Sequence, residues 1–503
     1  MRRPFPISSA SYGRPAIGLG AVAEPSNWVP WFAAVFVASW SLLGLSSSGQ
    51  WGDHFEQFVW AHGVEWGYHK HPPLPTWLLV GTIWMFGPST QWATGLGALC
   101  TLGTAFFTYR VALELLGSRL AVLSLMFWGL QQPFSNRAFL FNHNTVMMLG
   151  ISATAWCLLM ATKPSASRGW WIAVGLLAGA SVLAKYQALV PLAGLLVGAL
   201  RSGELGSRTA RAGLLVATLL AIAVLVPHVA WVLQHHATTL SYAAQEGRVL
   251  SWIERVWNVT SFLAQQVRLA FPALVFAGLI MVPSRRTRPG ALPEGDVASQ
   301  RPRAWMFGLV AFPLGATLLT SPLLGLELQN HWGYQALQFA GLWLAWRVRA
   351  LLPSRLGWPS LMVLSLLHAT LISLAFSPGS PAKTRQDLPY PAQELADAVR
   401  RDWQDETSCP LVYVVGPTLE AGIVSVYNGG TAAVLEDGDG AKSPWIKPDD
   451  LQQRGAVYIA DSPAALPTKD VTRTGYLDVA AIEPPPYNHV HWAIVAPPNC
   501  PNS

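Results

Sequence analysis

Apolar stretches of roughly 16 to 22 residues, each long enough to cross a bilayer as a helix, follow one another along most of this chain. They read at 28–48, 90–110, 120–135, 144–161, 170–184, 187–201, 212–233, 267–283, 304–322, 333–349 and 356–376, and short arginine-bearing connectors separate them. So many stretches exceed what one soluble core can bury. Only 12% of the residues are charged, against about 25% in soluble globular proteins. The predicted fold class is a polytopic α-helical membrane protein, with lipid as the solvent for most of the chain.

One further apolar piece, Leu74 to Phe86, has only about 13 residues, which suits an interfacial or re-entrant helix better than a span. Leaving it out puts Arg110, Arg119, Lys163, Arg168, Arg201, Arg208, Arg211, Arg285, Arg286, Arg288, Arg301, Arg303, Arg347, Arg349 and Arg355 on the side of the amino terminus. The positive-inside rule then predicts about eleven spans, in a range of roughly ten to thirteen, with that side cytoplasmic. It also accounts for the net charge of +6 and the pI near 9.2. The basic residues lie in connectors rather than on one amphipathic face, so no nucleic-acid partner is expected.

Residues 1–27 read as a cytoplasmic tail, because the first apolar run begins too late for a cleaved signal peptide. Residues 28–380 form the membrane part, with a first outer loop at 46–73. Residues 381–503 have the composition of a soluble unit on the outer side. Periodicity there predicts a helix from Ala392 to Trp403, a strand from Leu411 to Val415 and a helix from Leu419 to Tyr427. Short strands follow near Val434, Val457 and Val479, with a last one from His491 to Ala496, which together make a small α/β unit. The run Glu436-Asp437-Gly438-Asp439-Gly440 lacks the length of an EF-hand loop and reads as a solvated turn. Cys100 and Cys157 fall in apolar stretches. Cys409 and Cys500 fall in the outer tail, where an oxidising compartment permits the disulfide predicted between them.

Polar chemistry gathers in the outer loops. The first reads Gly52-Asp53-His54-Phe55-Glu56-Gln57, continues through Glu65-Trp66-Gly67-Tyr68 and ends His69-Lys70-His71-Pro72-Pro73-Leu74. Ionisable groups beside a bilayer are costly unless paired or functional. Asp53 and Glu56, three apart, would share a helical face and could hold a base or a cation. His54, His62, His69 and His71, with Glu56, raise the possibility of a divalent metal, but their spacing matches no closed zinc signature, so no metal or cofactor is assigned. The pair Gly95 and Gly97 reads as helix packing. Asn258-Val259-Thr260 is formally a glycosylation sequon, a pattern short enough to arise by chance.

The acidic residue after the first span and the Trp-Gly-Tyr to His-Pro-Pro-Leu run resemble the dolichyl-phosphate-mannose protein mannosyltransferase-like family, which includes the lipid A aminoarabinose transferases. The resemblance continues in Leu183-Ala184-Lys185-Tyr186, Pro227-His228-Val229-Ala230-Trp231 and Leu328-Gln329-Asn330-His331-Trp332-Gly333, and in Ser443-Pro444-Trp445-Ile446 of the tail. It implies a GT-C fold and a glycosyltransferase that uses a polyprenyl-phosphate sugar as donor. It places Asp53 at the catalytic acidic position, supported by Glu56. Lys185, His71, Arg248 and Arg268 become candidates for the donor phosphate, and Tyr68, Tyr186, His228 and Trp332 for substrate contacts. Without the resemblance, Lys185 reads as an interfacial lysine and His228 as a core histidine at a kink.

Two departures stand out. A lysine precedes the proline pair in the aminoarabinose transferases, where this chain has His71. An acidic residue is frequent in the family's second outer loop, where this chain has Asn142. A transporter or lipid flippase is the alternative reading, but no repeat of two hydropathy-related halves is present. A membrane-anchored sensor would need a binding motif that the tail lacks. The expectation is a multi-pass protein of the bacterial plasma membrane that acts on a lipid, glycan or protein acceptor at the outer face.

Overall fold

A computed structural model describes residues 36, 38–40, 42, 50–135, 137–235, 250–281, 296–349, 390–480, 487–498 and 500. The expected cytoplasmic tail, most of the first span, Arg248, the arginine cluster at 285–288 and the last span at 356–376 lie outside these residues.

The membrane part is helical: α1 (Gly52–Trp60), α2 (Leu74–Phe86), α3 (Thr90–Leu116), α4 (Ser118–Gly129), α5 (His143–Ala161) and α6 (Gly169–Ala184). It continues with α7 (Leu189–Arg201), α8 (Arg208–Gln234), α9 (Trp252–Met281), α10 (Asp296–Met306), α11 (Phe312–Leu324) and α12 (Tyr334–Val348). Among the described residues, five helices are long and apolar enough to cross a membrane: Thr90–Leu116, His143–Ala161, Arg208–Gln234, Trp252–Gly278 and Gln300–Leu324. Gln300–Leu324 runs unbroken from α10 to α11 through a π-helical turn at Phe307–Ala311. The piece Leu74–Phe86 is a helix too short to span, as its length predicts.

Local chemistry sets the ends. Ser89 caps α3 by accepting from the Gln91 amide (3.3 Å), and Gly117, at φ 80°, turns the chain into α4. One expectation is corrected. Between the spans expected at 212–233 and 267–283, where a connector was expected, the chain is helical from Trp252 onward, because Trp252, Ile253, Val256 and Trp257 form an apolar face that Glu254, Arg255 and Asn258 interrupt only in sequence.

Helix α5 is the hub of the bundle, with 83% of its most apolar window buried, while α8 is peripheral at 11%. Gly97 on α3 is needed for a close approach: a Cβ there would stand 2.2 Å from the Phe139 carbonyl, in the connector that leads to α5. Gly95 faces open space, so the packing role expected for the pair belongs to Gly97 alone.

The tail contains α13 (Ala392–Glu406), β1 (Tyr413–Gly416), α14 (Thr418–Tyr427), β2 (Ala433–Glu436), α15 (Pro448–Arg454), β3 (Ala456–Ala460), β4 (Arg473–Ala480) and β5 (Tyr487–Val495). The sheet order is β2-β1-β3-β5-β4. β1 runs parallel to β2 and β3, with Val414 opposite Val434 and Val457, and β5 is antiparallel to β3 and β4. Cys409 and Cys500 are disulfide-bonded, while Cys100 and Cys157 are free and buried. The tail sits directly on the first outer loop. Gly422 of α14 lies against Phe55, and Gly63 lies so close to Trp445 that a Cβ would come within 2.3 Å of the ring.

Candidate active site

Asp53 and Glu56 project from one face of α1 into a cavity of about 610 Å³. Its polar lining includes Lys70 and His71 from the first loop, Asn142 to Asn144 from the start of α5, Lys185, Gln329, His331 and Trp332. Val190, Thr317, Thr320 and Leu326 form a less polar wall at α7 and α11.

The amino terminus of α5 organises the polar wall. Asn142 caps the helix, its side-chain oxygen accepting from the Asn144 and Thr145 amides at 2.9 and 3.1 Å, while Thr145 Oγ1 accepts from the Asn142 amide at 3.0 Å. The cap leaves the Asn142 side-chain Nδ2 to donate to Asp53 Oδ2 at 2.9 Å. One residue beyond His143, Asn144 Oδ1 accepts from Lys185 Nζ at 2.9 Å. Neighbouring asparagines thus hold a carboxylate and an ammonium toward one space. The asparagine read as a departure from the family pattern supplies the donor that a carboxylate at this position would lack.

Lys185 reaches the cavity because α6 ends in an extended residue, Lys185 itself, before one 3₁₀ turn leads into α7. Desolvation pulls its pKa down to about 8, with Asp53 acting against the shift. Burial pushes Glu56 up to about 7, with Asp53 adding to the shift and Lys70, 2.8 Å away, opposing it. His71 is held well below its ordinary value by desolvation and by the neighbouring His143, Lys185 and Lys70. It is therefore neutral near neutral pH and offers a phosphate only a neutral N–H. Desolvation, Lys185 and Lys70 likewise push His331 down to about 3.

Not every expected residue reaches the cavity. His228 is buried as a clamp between Tyr186 and the Trp66 carbonyl, at 2.7 and 2.6 Å. A carbonyl can only accept, so the His228 proton is on Nδ1 and Tyr186 donates to Nε2. Tyr186 and Trp332 do line the space. Tyr68 does not: it donates to the Gly63 carbonyl and stacks on Trp60. Arg268 bonds Gln265 on the exposed side of α9, and Arg248 lies outside the described residues. The residues not singled out in advance are Lys70, His143, Asn144 and His331. For Asn144 the readable signal was the capping pattern Asn142-x-x-Thr145 just ahead of an apolar run.

Of the four histidines weighed for a metal with Glu56, only His71 comes to it among the described residues. His54 Nε2 accepts from the Phe141 amide, and burial pushes its pKa down to about 4. His62 bonds the Gly430 carbonyl, and His69 faces Glu436. The group that does converge is Glu56, His71 and His143, with one ligand atom of each within 4.8 Å of the others. Lys70 already matches the Glu56 charge and Lys185 stands nearby, so an entering cation would have to displace one ammonium and face another.

Residues 70–231 match the family described as dolichyl-phosphate-mannose-protein mannosyltransferase. That segment holds Lys70, His71, Asn142, Asn144, Lys185 and His228. The lipid A galacturonosyltransferase RgtD of Rhizobium johnstonii is 23% identical over 242 residues, 47% of this chain and 50% of that one. The chain thus spans about half the length of this curated relative. ArnT from Cupriavidus metallidurans bound to undecaprenyl phosphate aligns over 93% of this chain and 98% of its own, at 18% identity and a TM-score of 0.49. The oligosaccharyltransferase AglB from Archaeoglobus fulgidus, in complex with an inhibitory peptide and a dolichol-phosphate, aligns over 86% and 69%, at 10% identity and a TM-score of 0.46. The chain is similar to these membrane glycosyltransferases, and the family likeness expected from its outer-loop motifs is borne out.

Proposed function

We propose, with the family likeness as premise, that this chain is a GT-C glycosyltransferase of the bacterial plasma membrane that moves a sugar from a polyprenyl-phosphate carrier to a lipid, glycan or protein acceptor at the outer face. The carrying observation is the placement of Asp53 and Lys185 by Asn142 and Asn144 around one cavity, whose lining also includes Val190 and Leu326. In the transfer, an acceptor hydroxyl attacks the anomeric carbon, its proton passes to the Asp53 carboxylate, and the bond from that carbon to the phosphate oxygen breaks. The electron pair leaves with the polyprenyl phosphate, and the Lys185 ammonium stabilises the added charge. No covalent bond to the enzyme forms. Lys70 occupies Glu56, which leaves Asp53 as the more exposed base.

The orientation belongs to the same proposal. Glu114, Lys163, Glu204 and Arg301 pair among themselves at helix ends remote in sequence from the cavity, among the basic connectors, which agrees with that end being cytoplasmic. About eleven spans would then leave the tail outside, where its disulfide is stable. The test follows radiolabelled polyprenyl-phosphate sugars in membranes holding the wild type or Asp53→Asn. Turnover should fall by about 100-fold or more with abundance unchanged. Normal turnover in both Asp53→Asn and Lys185→Ala would remove the proposed centre and reopen the transporter reading.

A further inference from the structure

Glu436 heads an acidic turn in the sequence, yet the fold buries it to 5% exposure. Its carboxylate lies between the tail and the first outer loop. Oε1 accepts from Thr418 Oγ1 at 2.8 Å, within the tail, and stands 3.8 Å from His69 Nε2. Oε2 accepts from the Trp60 indole N–H at 3.2 Å, across to the membrane part. The acidic turn is thus solvated only beyond its first residue, where Asp437 pairs with Lys442.

Trp60 is the last residue of α1, the helix that carries Asp53 and Glu56, and it is fully buried. Its ring stacks on Tyr68, with centroids 4.8 Å apart and planes 8° from parallel. Its ring packs edge-to-face with His71 and His143, with centroids 6.3 and 5.8 Å away, and the centroids of those two rings lie 4.0 Å apart. Both histidines line the cavity. An indole plane held by stacking on one side can still rotate about its own normal, and a hydrogen bond at Nε1 removes that freedom. Burying a carboxylate at a seam is costly unless its partners are fixed, and here they belong to the two parts that must stay in register.

We propose that Glu436 is a positioning residue for the transfer reaction: through Trp60 it sets the orientation of the His71 and His143 wall, so that the tail completes the active site. The inference rests on the glycosyltransferase reading above. Removing the bond should loosen the wall without removing any group that touches the reacting atoms, so the loss belongs in kcat rather than in donor KM.

The experiment measures turnover, donor KM and melting temperature of the full chain in detergent or nanodiscs, with radiolabelled polyprenyl-phosphate sugar. Glu436→Ala and Trp60→Phe should each lower kcat by on the order of 10- to 100-fold while donor KM stays within about twofold. Glu436→Gln keeps an acceptor oxygen and should recover most of the rate. The double variant should be no slower than the worse single one, because the two share one interaction. Thr418→Val, which removes the other bond to the same carboxylate, should leave kcat near wild type even if melting falls. Equal losses in Thr418→Val and Glu436→Ala, multiplicative losses in the double variant, or normal kcat in Trp60→Phe would each overturn the proposal. Should Glu436→Ala fail to accumulate, Trp60→Phe against Glu436→Gln carries the same comparison. Asp53→Asn and Lys185→Ala are assayed alongside: full activity in both would sink the site itself, whereas their loss with unaffected Trp60→Phe sinks only the role of Glu436.

Discussion

At the scale of single residues, the site depends on which side chains hold Asp53 and Lys185. Replacing Asn142 by Ser keeps a good helix cap but removes the amide donor to Asp53. Asn142→Ser should melt close to wild type, within a few tenths of a kcal/mol by the ranking of caps, while transfer falls by about tenfold or more. A variant with normal transfer would mean that Asp53 does not need this partner. Lys185 gives a pH test. With its pKa pulled down to about 8, the ammonium is present below pH 8 and lost above it, so donor kcat/KM should fall as pH rises past 8. Lys185→Arg, always charged, should keep activity above that limb even if its geometry is poorer. The sign for stability is the reverse. Between pH 8 and the ordinary lysine value near 10.4, the unfolded chain binds more protons at this residue, so its contribution to stability rises with pH. A limb that tracked falling melting temperature would therefore not be Lys185.

At the scale of elements, one short helix carries both carboxylates of the site, and a second follows the loop that carries Lys70 and His71. Helix α1 has Asp53 exposed to the cavity, while its remaining residues from His54 to Trp60 are buried beneath the tail and against the second loop. The second short helix, α2, begins at the proline pair, whose missing N–H groups cost nothing at a helix start. It leads from Lys70 and His71 back toward the bundle. The pattern Asp53-x-x-Glu56 could be read as one helical face, and the fold keeps it so. The separation of the two carboxylates into an exposed one and one paired with Lys70 could not be read, because it depends on residue 70 folding back over α1. His228 shows the opposite error. Its place in a family-like motif suggested a substrate contact, but the Trp66 carbonyl and Tyr186 already occupy both ring nitrogens.

At the scale of the whole molecule, the tail and the membrane part are one assembly. The disulfide from Cys409 to Cys500 closes a sequence separation of 91 residues around the sheet. Loops of that size are stabilised by about 2–5 kcal/mol on cross-linking. In spheroplasts, a membrane-impermeant thiol reagent should label Cys409 and Cys500 only after reduction and without lysis, and Cys409→Ser should lower the melting temperature of the full chain. Labelling that requires lysis would place the tail in the cytoplasm and sink the topology of about eleven spans.

The residues alone determined the class of this protein: apolar helices of bilayer length, and a tail whose strands match β1 to β5. These properties are periodic and local, set by hydropathy along the chain and by capping residues, so a linear reading reaches them. The tertiary structure decided the rest. Asn142 and Asn144 become the supports of Asp53 and Lys185 only when α1 and the turn at residue 185 both meet the start of α5, and Glu436 becomes a buried anchor only when the tail seats on α1. Each is a contact between groups far apart in sequence. Its partner is chosen by packing, which one chain read residue by residue does not contain.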